Sequence, residues 1–100
     1  MQEFTDDLIQ GRILHKLCRA GKYKASHTAI ENLYRYLPRH MQDRAKENVE
    51  KLLQKGLLIK KITNYGVHVS LDYTGEKIVI IEQLAQKYIR YIVHLGERST

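Results

Sequence analysis

The segment between Gly56 and Gly75 constrains the fold of this chain more than any other feature. Residues 57–62 form an apolar run interrupted by lysines, and residues 67–71 alternate apolar and polar side chains, as half-buried strands do. The tetrapeptide 63–66, Thr-Asn-Tyr-Gly, supplies turn residues between the two runs. These patterns predict a two-stranded hairpin, and Gly56 suits the left-handed backbone that ends the helix before it.

The spacing of apolar residues predicts helices on both sides of the hairpin. Side chains three and four residues apart indicate an amphipathic helix over about 5–20. The same periodicity predicts a helix over about 39–55 and a long last helix over about 73–95. The 100 residues make one domain, because domains typically contain about 50 to 250 residues.

The stretch before Pro38 predicts a further, shorter helix. Residues 22–25 form a connector that can act as a minimal strand. Ser26 or Thr28 opens the helix, and Glu31 lies at capping-box distance from Thr28. Pro38 ends it, because the residue before a proline disfavours helical backbone. The predicted order is therefore three helices, a two-stranded hairpin and a closing helix.

Two patterns within this order resemble those of winged helix-turn-helix proteins. Residues 49–58 (Val-Glu-Lys-Leu-Leu-Gln-Lys-Gly-Leu-Leu) resemble the signature that ends the third helix and starts the wing. Residues 67–75 (Val-His-Val-Ser-Leu-Asp-Tyr-Thr-Gly) resemble the second wing strand and the Leu-Thr-x-x-Gly entry to the closing helix, with Asp72 in place of the usual threonine. The chain is thus similar to the MarR/PadR-like group of small prokaryotic regulators.

This resemblance implies an α+β, mostly α, fold, a winged helix-turn-helix with three helices, a two-stranded wing and a long C-terminal helix. It implies a single domain over residues 1–100, in which residues 76–95 serve as a dimerisation helix. The implied function is sequence-specific binding of double-stranded DNA as a homodimer, in the role of a transcriptional regulator. A winged-helix protein-interaction module without DNA binding is the alternative, and binding of single-stranded nucleic acid or RNA is a third possibility.

The distribution of charge favours a polyanionic partner. The net charge is +6, and residues 22–68 supply all of it, with ten basic and four acidic side chains. A one-sided basic region raises the local concentration of nucleic acid. A solvated, lysine-rich surface is the alternative interpretation.

The expected DNA contacts lie on the third helix and on the wing. A winged helix presents its third helix to the major groove, where Gln42 can read adenine and Arg44 can read guanine. Basic side chains would neutralise phosphates, and residues near the wing tip would touch the minor groove or the backbone. The acidic side chains on the same outward face, Asp43, Glu47 and Glu50, count against this contact. The predicted DNA-binding residues are Arg39, His40, Gln42, Arg44, Lys46, Lys51, Lys60, Lys61, Asn64, Tyr65 and His68.

The last helix predicts a second copy of the chain as partner. Its apolar face is broad, and its second half extends past what a domain of this size can cover. A dimer would bury that half and would match the symmetry of palindromic operators. The alternative is that the helix folds back on the first helix of its own chain. The predicted interface residues are Ile81, Leu84, Ala85, Tyr88, Ile89, Tyr91, Ile92 and Leu95.

Several other classes of protein are not expected. The chain has no run of 18 apolar residues, and residues 1–7 lack the apolar region of a signal peptide, so we expect a cytoplasmic protein without a membrane partner. His15 and Cys18 lie one helical turn apart, but no second ligand pair follows and Cys18 falls on the apolar face. We therefore expect a buried cysteine, no metal and no other cofactor. No catalytic motif is present, so an enzyme is not expected.

Overall fold

The fold is given by a computed structural model that describes residues 4–35 and 37–98. Within those residues, three α-helices and a three-stranded antiparallel sheet form a small α+β domain that is mostly helical, which confirms the predicted class. No helix in this part of the chain is both long and apolar enough to cross a membrane. The elements in chain order are α1 (Asp6–Arg19), β1 (Thr28–Ala29), a 3-10 turn (Ile30–Leu33), α2 (Arg39–Gln54), β2 (Leu58–Thr63), β3 (Gly66–Leu71) and α3 (Glu76–Arg98).

The α1 helix begins and ends where its sequence predicts. The Thr5 hydroxyl accepts a hydrogen bond from the Leu8 amide at 3.3 Å, and two aspartates occupy the first turn, where the helix dipole favours negative charge. Gly21 has a φ of 67°, and the Lys22 amide donates to the Leu17 carbonyl at 2.9 Å. A left-handed glycine therefore ends the helix by satisfying one of its last carbonyls.

The predicted second helix is wrong. Thr28 and Ala29 instead form β1, opposite Val69 and His68 of β3, and the 3-10 turn follows directly. The Thr28 hydroxyl accepts a hydrogen bond from Asn32 Nδ2 at 2.9 Å instead of capping an α-helix. Because helix nucleation is costly for so short a segment, pairing with the open edge of β3 decides its structure.

The predicted hairpin is confirmed, and a third strand joins it. β2 and β3 pair in antiparallel fashion, from Leu58 opposite Leu71 to Thr63 opposite Gly66. β1 pairs with the other edge of β3, so the strand order is β1-β3-β2. The connector before β1 adds one parallel bridge, between Tyr23 and Leu71. The sheet therefore collects two segments that lie far apart in the sequence.

The helices and the sheet enclose one hydrophobic core. Its fully buried side chains include Leu14 of α1, Leu52 of α2 and Ile81 of α3. Val69 joins the core from β3. Because side chains alternate along a strand, the neighbouring His68 lies on the opposite, outer face of the sheet. At this point of β3, the face with Val69 packs on the core and the face with His68 points away from it.

The α3 helix packs along α1 through a close approach at Gly11. A Cβ at this position would lie 2.2 Å from the Leu84 carbonyl oxygen and 2.9 Å from Tyr88 Cβ. Phe4 packs edge-on against Tyr88 and Tyr91, with ring centroids 6.3 and 5.4 Å apart. The middle of α3 is therefore covered by the first helix of its own chain.

Substitution of Gly11 by alanine tests this packing, because helix propensity and the close contact change the free energy of unfolding in opposite directions. Helix propensity alone would raise the free energy of unfolding by about 1 kcal/mol. The contact with a backbone carbonyl must instead push α3 away, so we expect the free energy to fall by about 2 kcal/mol in urea denaturation. Gln86→Ala, on the exposed side of α3, should change it by less than about 0.5 kcal/mol. A Gly11→Ala variant as stable as the wild type would contradict the close approach.

Candidate nucleic-acid interface

Two segments without acidic residues come together in the sheet. Residues 20–30 and 51–71 contain lysines and histidines but no aspartate or glutamate. β1, from the first segment, pairs with β3, from the second. Just before β1, the Lys22 carbonyl accepts a hydrogen bond from the Leu71 amide at 2.8 Å. Positive groups from distant parts of the chain therefore share one sheet.

The two segments meet closely at His27 and His68. Their Nδ1 atoms are 2.9 Å apart, and the rings meet edge to face with centroids 4.9 Å apart. Lys61 lies directly opposite His68 in the register of β2 and β3. Lys22 lies close enough to act on His27 electrostatically. We call these four residues the histidine cluster.

The surroundings of His27 lower its pKa below the ordinary value of 6.5. Burial is the largest cause, and the neighbouring His68 comes next. The positive charges of Lys61 and Lys22 act in the same direction. Because burial and like charges both disfavour the protonated imidazole, His27 favours its neutral form in this cluster.

The tip of the hairpin holds large exposed side chains on an ordered turn. The Thr63 hydroxyl donates to the Gly66 carbonyl at 2.9 Å and accepts from the Tyr65 amide at 3.1 Å. Ile62 and Tyr65 are 85% and 94% exposed, and the two lysines of β2 precede them. An aromatic ring held beside lysines can pack on a sugar or a base while the lysines meet phosphates.

The structure places two of the predicted α2 contacts against the protein itself. Gln42 Nε2 donates to the carbonyls of Leu37 and Arg35, at 3.1 and 3.4 Å. The Lys46 ammonium lies 5.1 Å from the centre of the Tyr34 ring, a cation–π contact. Both side chains therefore connect α2 to the segment that precedes it.

Arg44 and Lys51, two further predicted contacts, are ion-paired with Asp6 of α1. Arg44 Nη2 lies 2.8 Å from Asp6 Oδ1, and Lys51 Nζ lies 3.0 Å from Oδ2. Asn48 Nδ2 donates to the same carboxylate at 3.2 Å, and Asn48 Oδ1 accepts from Gln10 Nε2 at 2.8 Å. This network holds the start of α1 against α2 and turns two cations towards the domain itself.

The other predicted DNA contacts lie at the start of α2 and on the hairpin. Arg39 and His40 are exposed in the first turn of α2. The outward side of α2 beyond them carries three exposed acidic residues, Asp43, Glu47 and Glu50. The hairpin residues Lys60, Lys61, Asn64 and Tyr65 are exposed, and His68 is half-buried. The predicted surface is therefore basic on the hairpin and acidic along the outward side of α2.

The predicted dimer residues of α3 fall into two groups. Those in the middle of the helix lie in the core or against α1, namely Ile81, Leu84, Ala85, Tyr88 and Tyr91. Ile89 is half-buried. Ile92 and Leu95 are 44% and 41% exposed, and their neighbour Val93, which was not predicted, is 52% exposed. The end of α3 thus carries an exposed apolar group.

Sequence reasoning missed Lys22, His27 and Asp6. The stretch without acidic residues around Lys22 and His27 was a usable signal, but the helix predicted there kept them apart from the hairpin. No local pattern indicates that Asp6 meets two cations of α2.

Comparisons with known proteins identify no relative. No protein-family model matches the chain, and neither curated proteins nor solved structures give a significant match.

Asp6 should stabilise the fold except at acidic pH. Hydrogen bonds from Arg44, then from Lys51 and Asn48, hold the pKa of its carboxyl well below the usual 3.8. The unfolded chain binds this proton more readily, so the stabilisation is complete above pH 3.8 and is lost as the pH falls further. Since the groups are half exposed, Asp6→Asn should lower the free energy of unfolding by about 1 kcal/mol at neutral pH, measured in urea.

Asp43→Asn provides the matched control, because it makes the same change at an exposed position of α2. We expect it to change the free energy of unfolding by less than about 0.5 kcal/mol. Equal losses in the two variants, or a deficit in Asp6→Asn that does not shrink at acidic pH, would contradict the network around Asp6.

Proposed function

We propose that this protein is a winged helix-turn-helix regulator of transcription that binds double-stranded DNA sequence-specifically as a homodimer, in the cytoplasm of a prokaryotic cell. The observation that carries the proposal is the meeting of residues 20–30 and 51–71, both without acidic side chains, in one sheet. Such a basic surface attracts a polyanion and neutralises its phosphates. The element order supports it, since the 3-10 turn stands where the second helix is expected, before α2, the hairpin and α3.

The hairpin supplies the main contact in this proposal. Lys60 and Lys61 are exposed on β2 and meet phosphates, which position the protein on the duplex. Tyr65, at the exposed tip, packs against sugars or base edges in a groove. Asn64 beside it carries an amide that can donate to and accept from base edges, and sequence is read through such contacts.

The α2 helix contributes through its start. Arg39 and His40 are exposed in its first turn, where the helix dipole also favours a phosphate. Arg44 would have to leave Asp6 in order to read guanine, and the acidic side chains farther along would meet phosphates unfavourably. The part of α2 that approaches DNA is therefore its first turn.

The end of α3 provides the contact with a second copy. α1 has 14 residues and α3 has 23, and Phe4 covers α3 as far as Tyr91. Ile92, Val93 and Leu95 follow, and two copies related by a two-fold axis would bury them against each other. The same axis would present two hairpins to one duplex.

Replacement of Lys60 and Lys61 by alanine tests the DNA contact. We expect weaker binding to a duplex of mixed sequence, measured by fluorescence anisotropy between about 50 and 200 mM salt. The slope of log affinity against log salt should become shallower by about 2, because two phosphate contacts are lost.

Arg12→Ala with Lys16→Ala is the matched control for the lysine pair. It removes the same charge from α1, beside Tyr88 and away from the hairpin, so the salt slope should stay close to that of the wild type. A wild-type protein that does not bind DNA at low salt would reject the proposed function. Equal losses of DNA affinity in both double variants would reject the hairpin as the DNA contact.

The dimer contact is tested by Ile92→Ser with Leu95→Ser. Because the apolar end of α3 would then no longer bury apolar surface, the mass from light scattering should fall from twice 11.8 kDa to 11.8 kDa. Val79→Ser, at another exposed apolar position of α3, should leave the dimer intact. A wild-type chain that is a monomer at concentrations of about 100 μM would reject the dimer but not the DNA contact.

One observation favours a second candidate, a winged-helix module that binds a basic protein partner without DNA. Asp6 draws cations of α2 inward, which leaves Asp43, Glu47 and Glu50 on the outward side. A variant that replaces these three acids with their amides, Asp43→Asn with Glu47→Gln and Glu50→Gln, distinguishes the two candidate functions. Tighter DNA binding by that variant supports the regulator. No DNA binding by either protein, together with loss of a nuclease-insensitive protein partner from the variant, supports the module.

A further inference from the structure

The hydrogen bond inside the histidine cluster restricts the charge that the cluster can carry. His27 Nδ1 and His68 Nδ1 are 2.9 Å apart. One of these nitrogens must carry a hydrogen and the other must be bare, since two N–H groups would repel each other and two bare nitrogens form no bond. In the neutral pair, the imidazole that donates through Nδ1 has a bare Nε2, and the other imidazole carries its hydrogen on Nε2.

The pair can take up one proton without losing this bond. The proton adds to the bare Nε2, after which both Nε2 atoms are donors and the pair carries one positive charge. A second proton would place hydrogens on both Nδ1 atoms and would break the contact between the segment before β1 and β3. The capacity of the pair in the folded protein is therefore one proton.

The charged groups that act on the pair are positive. Lys61 faces His68 from β2, and Lys22 acts on His27 from the segment before β1. The charge of Glu31, on the 3-10 turn, acts on the neighbouring Tyr34. Val69, the neighbour of His68 on β3, lies in the hydrophobic core, so the core packs on the other face of the sheet at this point. Without an anion, the two lysines therefore oppose protonation of His27.

We propose that the histidine cluster binds a phosphate of a nucleic-acid backbone and takes up one proton as it does so, an inference that rests on the proposed function. Phosphate oxygens accept hydrogen bonds from the ammonium groups of Lys22 and Lys61 and from the protonated Nε2 of one of the two imidazoles. The negative charge of the phosphate offsets the repulsion between the lysines and a proton on His27, so the proton is held more tightly in the complex. By linkage, the affinity for DNA rises as the pH falls.

Calorimetric titration of a mixed-sequence duplex, in buffers of different ionisation enthalpy at about pH 6.5, measures this proton uptake. The wild type should take up close to one proton per chain, and its affinity should rise by up to tenfold per pH unit between about pH 7.5 and 5.5. His27→Gln with His68→Gln should bind with most of this uptake lost, since glutamine is polar but does not titrate. His15→Gln, on α1, should retain the uptake.

Circular dichroism verifies that the double glutamine variant is folded. Lys61→Ala leaves both imidazoles in place, and it should weaken binding and reduce the uptake, because less repulsion is relieved when the phosphate binds. Sulfate, which does not titrate in this range, serves as the free anion. Proton uptake with sulfate but not with DNA would overturn the assignment to a nucleic-acid backbone.

The two proposals fail in different ways. DNA binding without proton uptake, or with the same uptake in the double glutamine variant, overturns the role of the histidine cluster and leaves the proposed function standing. Loss of the proton uptake in His15→Gln also overturns the role of the histidine cluster, because the proton would then be bound on α1. A chain that binds no DNA at any pH overturns both.

Discussion

The pairing of a two-residue strand with the open edge of β3 is the contact on which most of this structure depends. Thr28 and Ala29 enter the sheet instead of starting a helix, and their backbone bonds set the course of the chain on both sides. On one side they bring His27 against His68. On the other side the 3-10 turn leads into α2. One edge contact therefore decides both the route of the chain and the positions of the basic groups.

The carboxylate of Asp6 is a second constraint, because it determines where two cations of α2 point although it adds little to stability. Exposed ion pairs contribute about 1 kcal/mol or less each, so the pairs with Arg44 and Lys51 add modestly to stability. Their geometry nevertheless turns two cations of α2 towards α1 and leaves the outward side of that helix acidic. The outward side of α2 is therefore less basic than the formal charge of residues 22–68 suggests. The sheet is correspondingly the more basic surface.

The apolar face of α3 is covered along only part of its length. Gly11 lets α1 approach closely, and Phe4 extends that cover as far as Tyr91. The exposed apolar residues beyond this point have no cover within the described part of the chain. The contacts of α1 and Phe4 thus separate the part of α3 that stabilises the domain from an end whose apolar side chains are exposed.

Local interactions were enough for the sequence to determine α1 with its Thr5 cap, the hairpin between Gly56 and Gly75, α2 after Pro38, and a long α3. Capping, apolar periodicity and turn chemistry act between residues a few positions apart, so they can be recognised in the chain itself. The tertiary structure alone decided β1, the contact of His27 with His68 and the pairing of Asp6 with Arg44. These contacts join residues 41 and 38 positions apart, and they exist only because folding brings one strand edge and one carboxylate next to groups that no local pattern connects to them.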